Sequence, residues 1–366
     1  MKVCVIGTRG FPKIQGGIET HCEELYTKIV EKFDCEIIVF RRTPYIKEKI
    51  SIHQNIKFVD LWVPKNKYLE TFLHAFFSTI YSIFLKPDIA HYHNTGPGVF
   101  IPILKLFRIK IVFTYHNLSY TQKKWNKASS LFLNFTERVC LRYSDSFIFI
   151  SNTIKDMMVK KYKITNYKIV RNGVKKPIIA TTSDYIEALN LEKKKYIIAV
   201  GRFLEEKGFD YLIDAYIRTK LKDYKLVIVG DTDYPTTYSS SLKQKAIDNK
   251  IVLTGFIKGE KLQQIFSHAQ LYIMSSFEEG LPIALLEAMS YNLDVLSSNI
   301  PPNLEIGLDP EDYFEVGNSK ALSDQILKKL ENPRIRNFDQ KINETYNWDS
   351  IAVATFELYI KTIEND

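Results

Sequence analysis

Cysteine is scarce in this chain. Its four cysteines (Cys4, Cys22, Cys35 and Cys140) have no C-x-x-C spacing and none of the density of a disulfide framework. They read as reduced, mostly buried thiols of a cytoplasmic protein. Long hydrophobic runs are missing too. The most apolar segment, Thr71–Leu85, has only fifteen residues, too few to cross a bilayer as a helix. It reads as a buried helix, with a surface-seeking one as the alternative. Glycine and arginine interrupt the opening MKVCVIG at once, so this start reads as a strand and not as a secretory signal. No G-x-G-x-x-G loop occurs, which argues against a hydride-transferring dinucleotide enzyme. Zinc-finger spacings and RNA-binding aromatic motifs are absent, so nucleic acid is not an expected partner. No internal repeat or low-complexity tract is found.

What is present fits two domains. A chain of 366 residues, 45% hydrophobic, can bury two sizeable cores. Strand-like runs alternate with helical patterns from end to end, which predicts an α/β protein with parallel sheets. The formal charge of +8 is unevenly spread. Residues 1–172 carry 27 Lys and Arg against 13 Asp and Glu, and the remainder carries 23 against 29. A basic half joined to an acidic half predicts that only the first meets a polyanion, such as an anionic membrane surface or a pyrophosphate-linked lipid.

The stretch Leu271–Met289, LYIMSSFEEGLPIALLEAM, organises the acidic half. Leu271–Met274 is predicted as a buried strand, followed by a polar loop and a helix that opens near Pro282. Proline suits the first helical turn because its missing N–H would be unpaired there. Gly280 lets the backbone approach a ligand, and the free N–H groups at a helix start favour an anion. Glu279 and Glu287 then stand on either side of a phosphate-sized cradle. Solvated glutamates on a plain strand-to-helix crossover would have the same spacing.

A second turn of this kind follows the predicted strand Tyr196–Gly201. Arg202 and Lys207 flank its tip, Gly208 frees its exit, and a helix is expected from Phe209. Two cations beside a helix N-terminus suit a departing pyrophosphate. Asp231 and Asp233, after the predicted strand Lys225–Gly230, offer the oxygens that hard cations want. Arg202 and Lys207 already supply the charge a metal would bring, so no metal is expected.

In the basic half, Lys2–Ile6 is the first predicted strand, and a glycine-rich loop leads to a helix from about Ile18. Gly16 and Gly17 would let the backbone approach a ligand at the strand's carboxyl end. Further strands are predicted at 36–40, 57–60, 89–93, 110–115 and 147–150. His93 and His116 stand at the ends of two of them, where a histidine can serve a cleft or fill a structural position. Lys123, Lys124 and Trp125 suit an interface, a phosphate or a solvated loop. Residues 175–195 read as a linker. Ala321–Glu331 and Trp348–Ile363 read as amphipathic helices.

Taken in order, these motifs resemble the retaining glycosyltransferases of family four. Gly7-Thr8-Arg9-Gly10-Phe11-Pro12, then Gly16-Gly17-Ile18-Glu19-Thr20, is similar to the opening of the branch typified by bacterial rhamnosyltransferases. Lys123-Lys124-Trp125 has a counterpart in that branch, which often carries D-G where this chain has His116-Asn117. Asn172-Gly173-Val174 resembles the family's N-G-V turn. Gly201-Arg202 with Lys207-Gly208 resembles its G-R-x-x-x-x-K-G. Glu279-Gly280-Leu281-Pro282, then Glu287-Ala288-Met289, resembles its E-x7-E region.

The resemblance implies a GT-B fold, two Rossmann-like domains facing each other across a cleft. Residues 1–172 would form the acceptor side and 173–345 the nucleotide-sugar side. Residues 346–366 would form a helix that packs back on the first domain. It implies that Glu279 and His116 hold the transferred sugar and that Glu287 holds the ribose. Arg202, Lys207 and the backbone of Gly280, Leu281, Pro282 and Ile283 would bind the diphosphate. Phe256 would lie along the base and Gly16 and Gly17 near the donor. Arg9, His93, Lys123, Lys124 and Trp125 would face the acceptor. No cofactor is implied beyond the nucleotide-diphosphate sugar itself.

The expected activity is transfer of a hexose or deoxyhexose, such as rhamnose, with retention of configuration. The expected acceptor is a glycan on a lipid pyrophosphate, in capsule or O-antigen assembly at the cytoplasmic face of the cell membrane. Two alternatives stand beside it: transfer to a soluble acceptor, and a non-catalytic nucleotide-sugar-binding subunit of a polysaccharide complex. A degenerate subunit should have lost Glu279, Arg202 or Lys207, and all three are present.

Overall fold

The computed structural model describes residues 1–66, 69–117 and 127–364. The chain forms two compact units, Met1–Asn172 with Trp348–Asp366, and Gly173–Asn347.

The first unit holds strands β1 (Lys2–Ile6), β2 (Glu36–Arg42), β3 (Ile52–His53), β4 (Ile56–Leu61), β5 (Ile89–His93), β6 (Lys110–Tyr115), β7 (Ser146–Phe149) and β8 (Tyr167–Ile169). Between them run helices α1 (Gly17–Lys32), α2 (Leu69–Leu85), α3 (Ile101–Leu106), α4 (Lys127–Tyr143) and α5 (Asn152–Tyr162). The sheet order is β3-β4-β2-β1-β5-β6-β7-β8, and only β3 with β4 pairs antiparallel. Strands β1, β5 and β6 are buried on both faces, as parallel strands covered by helices must be.

The second unit holds β9 (Tyr196–Val200), β10 (Lys225–Val229), β11 (Val252–Gly255), β12 (Leu271–Met274), β13 (Asp294–Ser298) and β14 (Tyr313–Phe314). Its helices are α6 (Asp184–Ala188), α7 (Phe209–Thr219), α8 (Thr237–Asp248), α9 (Glu260–His268), α10 (Ile283–Ser290), α11 (Pro301–Leu304), α12 (Ser319–Glu331) and α13 (Asp339–Thr345). All six strands are parallel, in the order β11-β10-β9-β12-β13-β14. Counted within the unit this is 3-2-1-4-5-6, the doubly wound Rossmann order. A buried ion network clamps α12 to the sheet: Lys329 Nζ lies 2.7 Å from Asp294 and 2.6 Å from Asp312, and Arg336 also bonds Asp312.

The last helix, α14 (Trp348–Glu364), belongs to the first unit. Its Trp348, Ile351, Ala352, Leu358 and Tyr359 complete the core that Val3, Val5, Leu25 and Ile37 begin.

Two segments differ from expectation. Residues 175–195 are not a bare linker, because they include α6. Gln264 on α9 accepts from the Tyr185 N–H and donates to Thr182 and Asp184, which gives this polar stretch a fixed partner far along the chain. Helix α2, expected to be buried, turns its small and polar side chains inward and leaves an aromatic face outside. Among the described residues no helix is long and apolar enough to cross a membrane.

Candidate active site

In the second unit the strand order reverses about β9, which has β10 on one side and β12 on the other. A doubly wound sheet opens a crevice outside the carboxyl ends of such a strand pair. The two turns that leave β9 and β12 are the ones the sequence singles out, and they are bonded to each other. The Phe277 N–H donates to the Glu206 carbonyl at 2.8 Å, and Ser275 Oγ donates to the Lys207 carbonyl at 2.8 Å. The Tyr211 hydroxyl donates to the Ser275 carbonyl. Gly208 is required where the turns meet. Its φ is +62°, and a Cβ would sit 2.4 Å from the Ser275 carbonyl oxygen.

This stitching brings two predicted residues into contact. Lys207 Nζ lies 2.6 Å from Glu279 Oε1, which also accepts from Ser276 Oγ at 2.6 Å. The pair is partly exposed, the lysine side chain at 22% and the glutamate at 10%. Arg202 is half-buried, and among the described residues its guanidinium has no ion-pair or hydrogen-bond partner. The loop then runs through buried Gly280, Leu281 and Pro282. Pro282 caps α10, with its carbonyl accepting from the N–H groups of Leu285 and Leu286. The helix starts at Ile283, so the expected opening at Pro282 falls on its cap.

Glu287 is half-buried on the first turns of α10. Beneath it the strand residue Tyr272 carries a buried hydroxyl with no protein partner. Burial pushes that phenol well up, and the charges of Glu279 and then Glu287 add to the effect, so both carboxylates act on one neighbourhood. Phe256 follows β11 and is partly exposed, with Lys258 Nζ 5.8 Å from its ring centre. Asp231 is paired with Lys243 at 2.7 Å.

The first unit reverses its strand order about β1, between β2 and β5. Its crevice is built differently, and the predicted residues Arg9, His93 and His116 are buried in it. Arg9 does not point outward. It is buried, with Nε 3.1 Å from Glu19 Oε1, and it donates to the Gln15 carbonyl, so it fastens the glycine-rich loop to α1. Gly16 makes room for that ion pair: a Cβ would meet Glu19 Oε2 at 2.0 Å and Arg9 Nη2 at 2.7 Å. Gly17 is the first residue of α1. His93 is fully buried, and both ring nitrogens are engaged, with His116 Nε2 at 2.7 Å and the Tyr26 hydroxyl at 2.6 Å. One of those partners, Tyr26, belongs to α1.

His116 joins the same cluster and keeps 7% exposure. Beyond Tyr26 the chain of contacts continues to His91 at 2.8 Å and to Tyr359 of α14 at 2.6 Å. His21 was missed by sequence reasoning. Its Nδ1 lies 2.9 Å from Asn172 Oδ1, an acceptor, so Nδ1 carries the proton and the buried Nε2 has no protein partner. Burial lowers the pKa of His21 to about 4, although Asn172 opposes the shift. Burial first, and neighbouring imidazoles second, holds His91, His93 and His116 well below the ordinary histidine range. All four rings are therefore neutral near pH 7. His21, His93 and His116 each bring a nitrogen within 4.8 Å of the others, the one group among the described residues able to hold a metal ion. Lys123, Lys124 and Trp125 lie outside the described residues.

Two matches to known families follow this division. Residues 182–346 match the glycosyl transferases group 1, and residues 15–176 match glycosyltransferase family 4. The chain is a glycosyltransferase of the GT-B fold. It belongs to the group 1 and family 4 glycosyltransferases, one signature in each half.

The chain is 21% identical over 379 aligned positions to the GPI3 subunit of the phosphatidylinositol N-acetylglucosaminyltransferase of Saccharomyces cerevisiae, covering 95% of this chain and 80% of that one. It is 26% identical over 234 positions to the O-antigen chain mannosyltransferase RfbU of Salmonella typhimurium, covering 60% and 63%. Among solved structures, Anabaena HepE in complex with UDP-glucose superposes with a TM-score of 0.79 at 15% identity, covering 99% and 100%. At that identity the likeness establishes the fold alone.

Proposed function

We propose that this glycosyltransferase moves a hexose or deoxyhexose from a nucleotide-diphosphate sugar to a lipid-linked glycan during surface polysaccharide assembly. The observation that carries the reading is the Lys207–Glu279 pair at the reversal point of the second sheet, with Arg202 beside it. Lys207 and Arg202 neutralise the diphosphate, together with the backbone of residues 280–283 at the start of α10. A diphosphate that takes Lys207 releases Glu279, whose carboxylate then accepts hydrogen bonds from hydroxyls of the sugar. Glu287 takes the ribose and Phe256 lies along the base.

The donor belongs to the second unit and the acceptor to the first, whose crevice holds His116 as a neutral imidazole. Charge neutralisation by side chains removes the need for a metal. Transfer with retention follows if the acceptor attacks from the face the leaving diphosphate vacates, with a phosphate oxygen taking the acceptor proton. A lipid-linked acceptor is supported by the basic charge of residues 1–172 and by relatives named for transfer to phosphatidylinositol and to O-antigen chains. Rhamnose is favoured among donors by the opening Gly7–Pro12 loop.

The test is a thermal-shift titration with UDP, dTDP, GDP and ADP in EDTA, run beside Arg202→Ala. A nucleotide at a hundred times its dissociation constant adds about 2.7 kcal/mol of stability. One nucleotide should raise the melting temperature of the wild type and fail to do so in the variant. An equal shift in both would overturn the assignment of Arg202. A shift that needs a divalent ion would overturn metal independence.

A further inference from the structure

We infer that the outward face of α2, α3 and α4 docks on an anionic lipid surface. Helix α2 is inside out for a water-facing helix. Its buried face is His74, Ala75, Ser78, Thr79 and Ser82, with the three hydroxyls donating back to carbonyls one turn earlier, at 2.6–2.8 Å. Its exposed face is Phe72, Phe76, Phe77, Tyr81 and Phe84, the last 78% exposed. An amphipathic helix on a water-facing surface has the reverse arrangement.

The apolar surface continues past the helix. Phe100 packs on Phe72 and Phe76, with ring centres 4.9 and 5.4 Å apart. Helices α2 and α4 both lie against the Gly96–Phe100 turn, and α3 touches both helices. At the end of α3 Leu106 is 83% exposed with Phe107 beside it, and α4 adds Leu131, Phe132 and Phe135. Exposed apolar side chains gathered on three adjoining helices mark an interaction site.

Charge selects the occupant. The three helices contain two acidic residues, Glu70 and Glu137, and both are buried. Among the exposed charges at the ends of these helices cations predominate, Lys86, Arg108, Arg138 and Arg142 against the single acid Asp88. On α4 the order Leu131, Phe135, Arg138, Arg142 runs along one stripe, from apolar to cationic. Aromatic rings sunk to the acyl boundary with guanidinium groups among anionic headgroups satisfy both parts of this surface. A protein partner would be expected to find acidic or hydrogen-bonding groups on it as well.

The inference rests on the lipid-linked reading only for its purpose, to bring the enzyme to its acceptor. Its test needs neither donor nor acceptor. The full chain is sedimented with vesicles of phosphatidylcholine, and with vesicles containing about one-third phosphatidylglycerol. The wild type should pellet with the anionic vesicles alone, less so as salt rises. Phe77→Ser/Phe84→Ser and Arg138→Glu/Arg142→Glu should each weaken binding by ~10-fold or more. Both should keep the nucleotide-induced shift in melting temperature, which separates loss of docking from misfolding and from failure of the donor site.

Wild-type protein that stays in the supernatant with anionic vesicles overturns the inference. So does equal pelleting by the variants. A wild-type dimer that Phe77→Ser/Phe84→Ser converts to monomers would assign the face to a second copy of the chain instead.

Discussion

The two units place their crevices at the same point of the topology and fill them with opposite chemistry. Each sheet reverses order about its first strand, β1 in one and β9 in the other, and each sends a glycine-containing turn over that strand. Six of the seven histidines lie in the first unit, and four of them are packed with Tyr26 and Tyr359 into a buried, neutral cluster. The crevice of the second unit carries charge at its rim, as the part-exposed Lys207–Glu279 pair and Arg202, whose guanidinium has no partner among the described residues. Topology thus fixes where a ligand can lie, and desolvation decides which crevice can handle charge. A diphosphate can be met by cations already at the solvent boundary. It gains little from imidazoles that burial keeps neutral.

Three experiments would break or sharpen this contrast. The largest effect is expected from Lys329→Met, which leaves Asp294 and Asp312 facing each other with only Arg336 nearby. Breaking such a buried network costs about 3–5 kcal/mol. Amide exchange should show the second unit opening while β1, β5 and β6 keep their protection. Uniform loss across both units would mean that they do not unfold separately.

Acid should do the opposite. The folded pKa of His21, about 4, lies below its value near 6.5 in the unfolded chain. Between these values the unfolded chain binds more protons, so the stability present above pH 6.5 is lost as pH falls towards 4. His21 alone accounts for on the order of 3 kcal/mol across that window. Exchange at pH 7 and pH 5 should find the first unit loosened before the second.

The smallest effect concerns affinity. Glu279→Gln removes the carboxylate that competes for Lys207, so nucleoside-diphosphate affinity should hold or rise by a few-fold while turnover falls. Calorimetry and a sugar-transfer assay on one preparation would check both halves. A large loss of affinity would mean that Glu279 positions the lysine and does not compete with the ligand.

Much of this architecture is legible in the sequence. The strands Leu271–Met274 and Lys110–Tyr115 fall where their apolar runs predict, because buried parallel strands need near-continuous hydrophobicity. Asn292 has φ 52°, a left-handed conformation that asparagine tolerates better than most residues. The separate roles of Lys207 and Glu279 can be suspected from local motifs. Their contact cannot, because it joins residues far apart in sequence through tertiary stitching.

His21 left a signal that went unused: it sits between Cys22 and Thr20 on the inward stripe of α1 with Leu25 and Ile29, a polar residue on an apolar face. The alternation in His91-Tyr92-His93 likewise puts two imidazoles on one side of β5. Arg9 misled because glycine-rich loops advertise ligand approach, whereas its partner Glu19 waited inside the next helix. For α2, a run rich in aromatic side chains reads as burial, and sequence does not reveal which face its neighbours leave bare.

The placement of α14 bears on how the protein is made. The core around β1 needs Trp348, Ile351 and Leu358, which leave the ribosome after everything else that unit contains. The whole of Gly173–Asn347 has by then been synthesised and can close on its own. The first unit therefore completes its core after the second unit has been synthesised, although most of it is translated earlier. A message truncated before Trp348 would yield a finished second unit attached to a first unit with an open core.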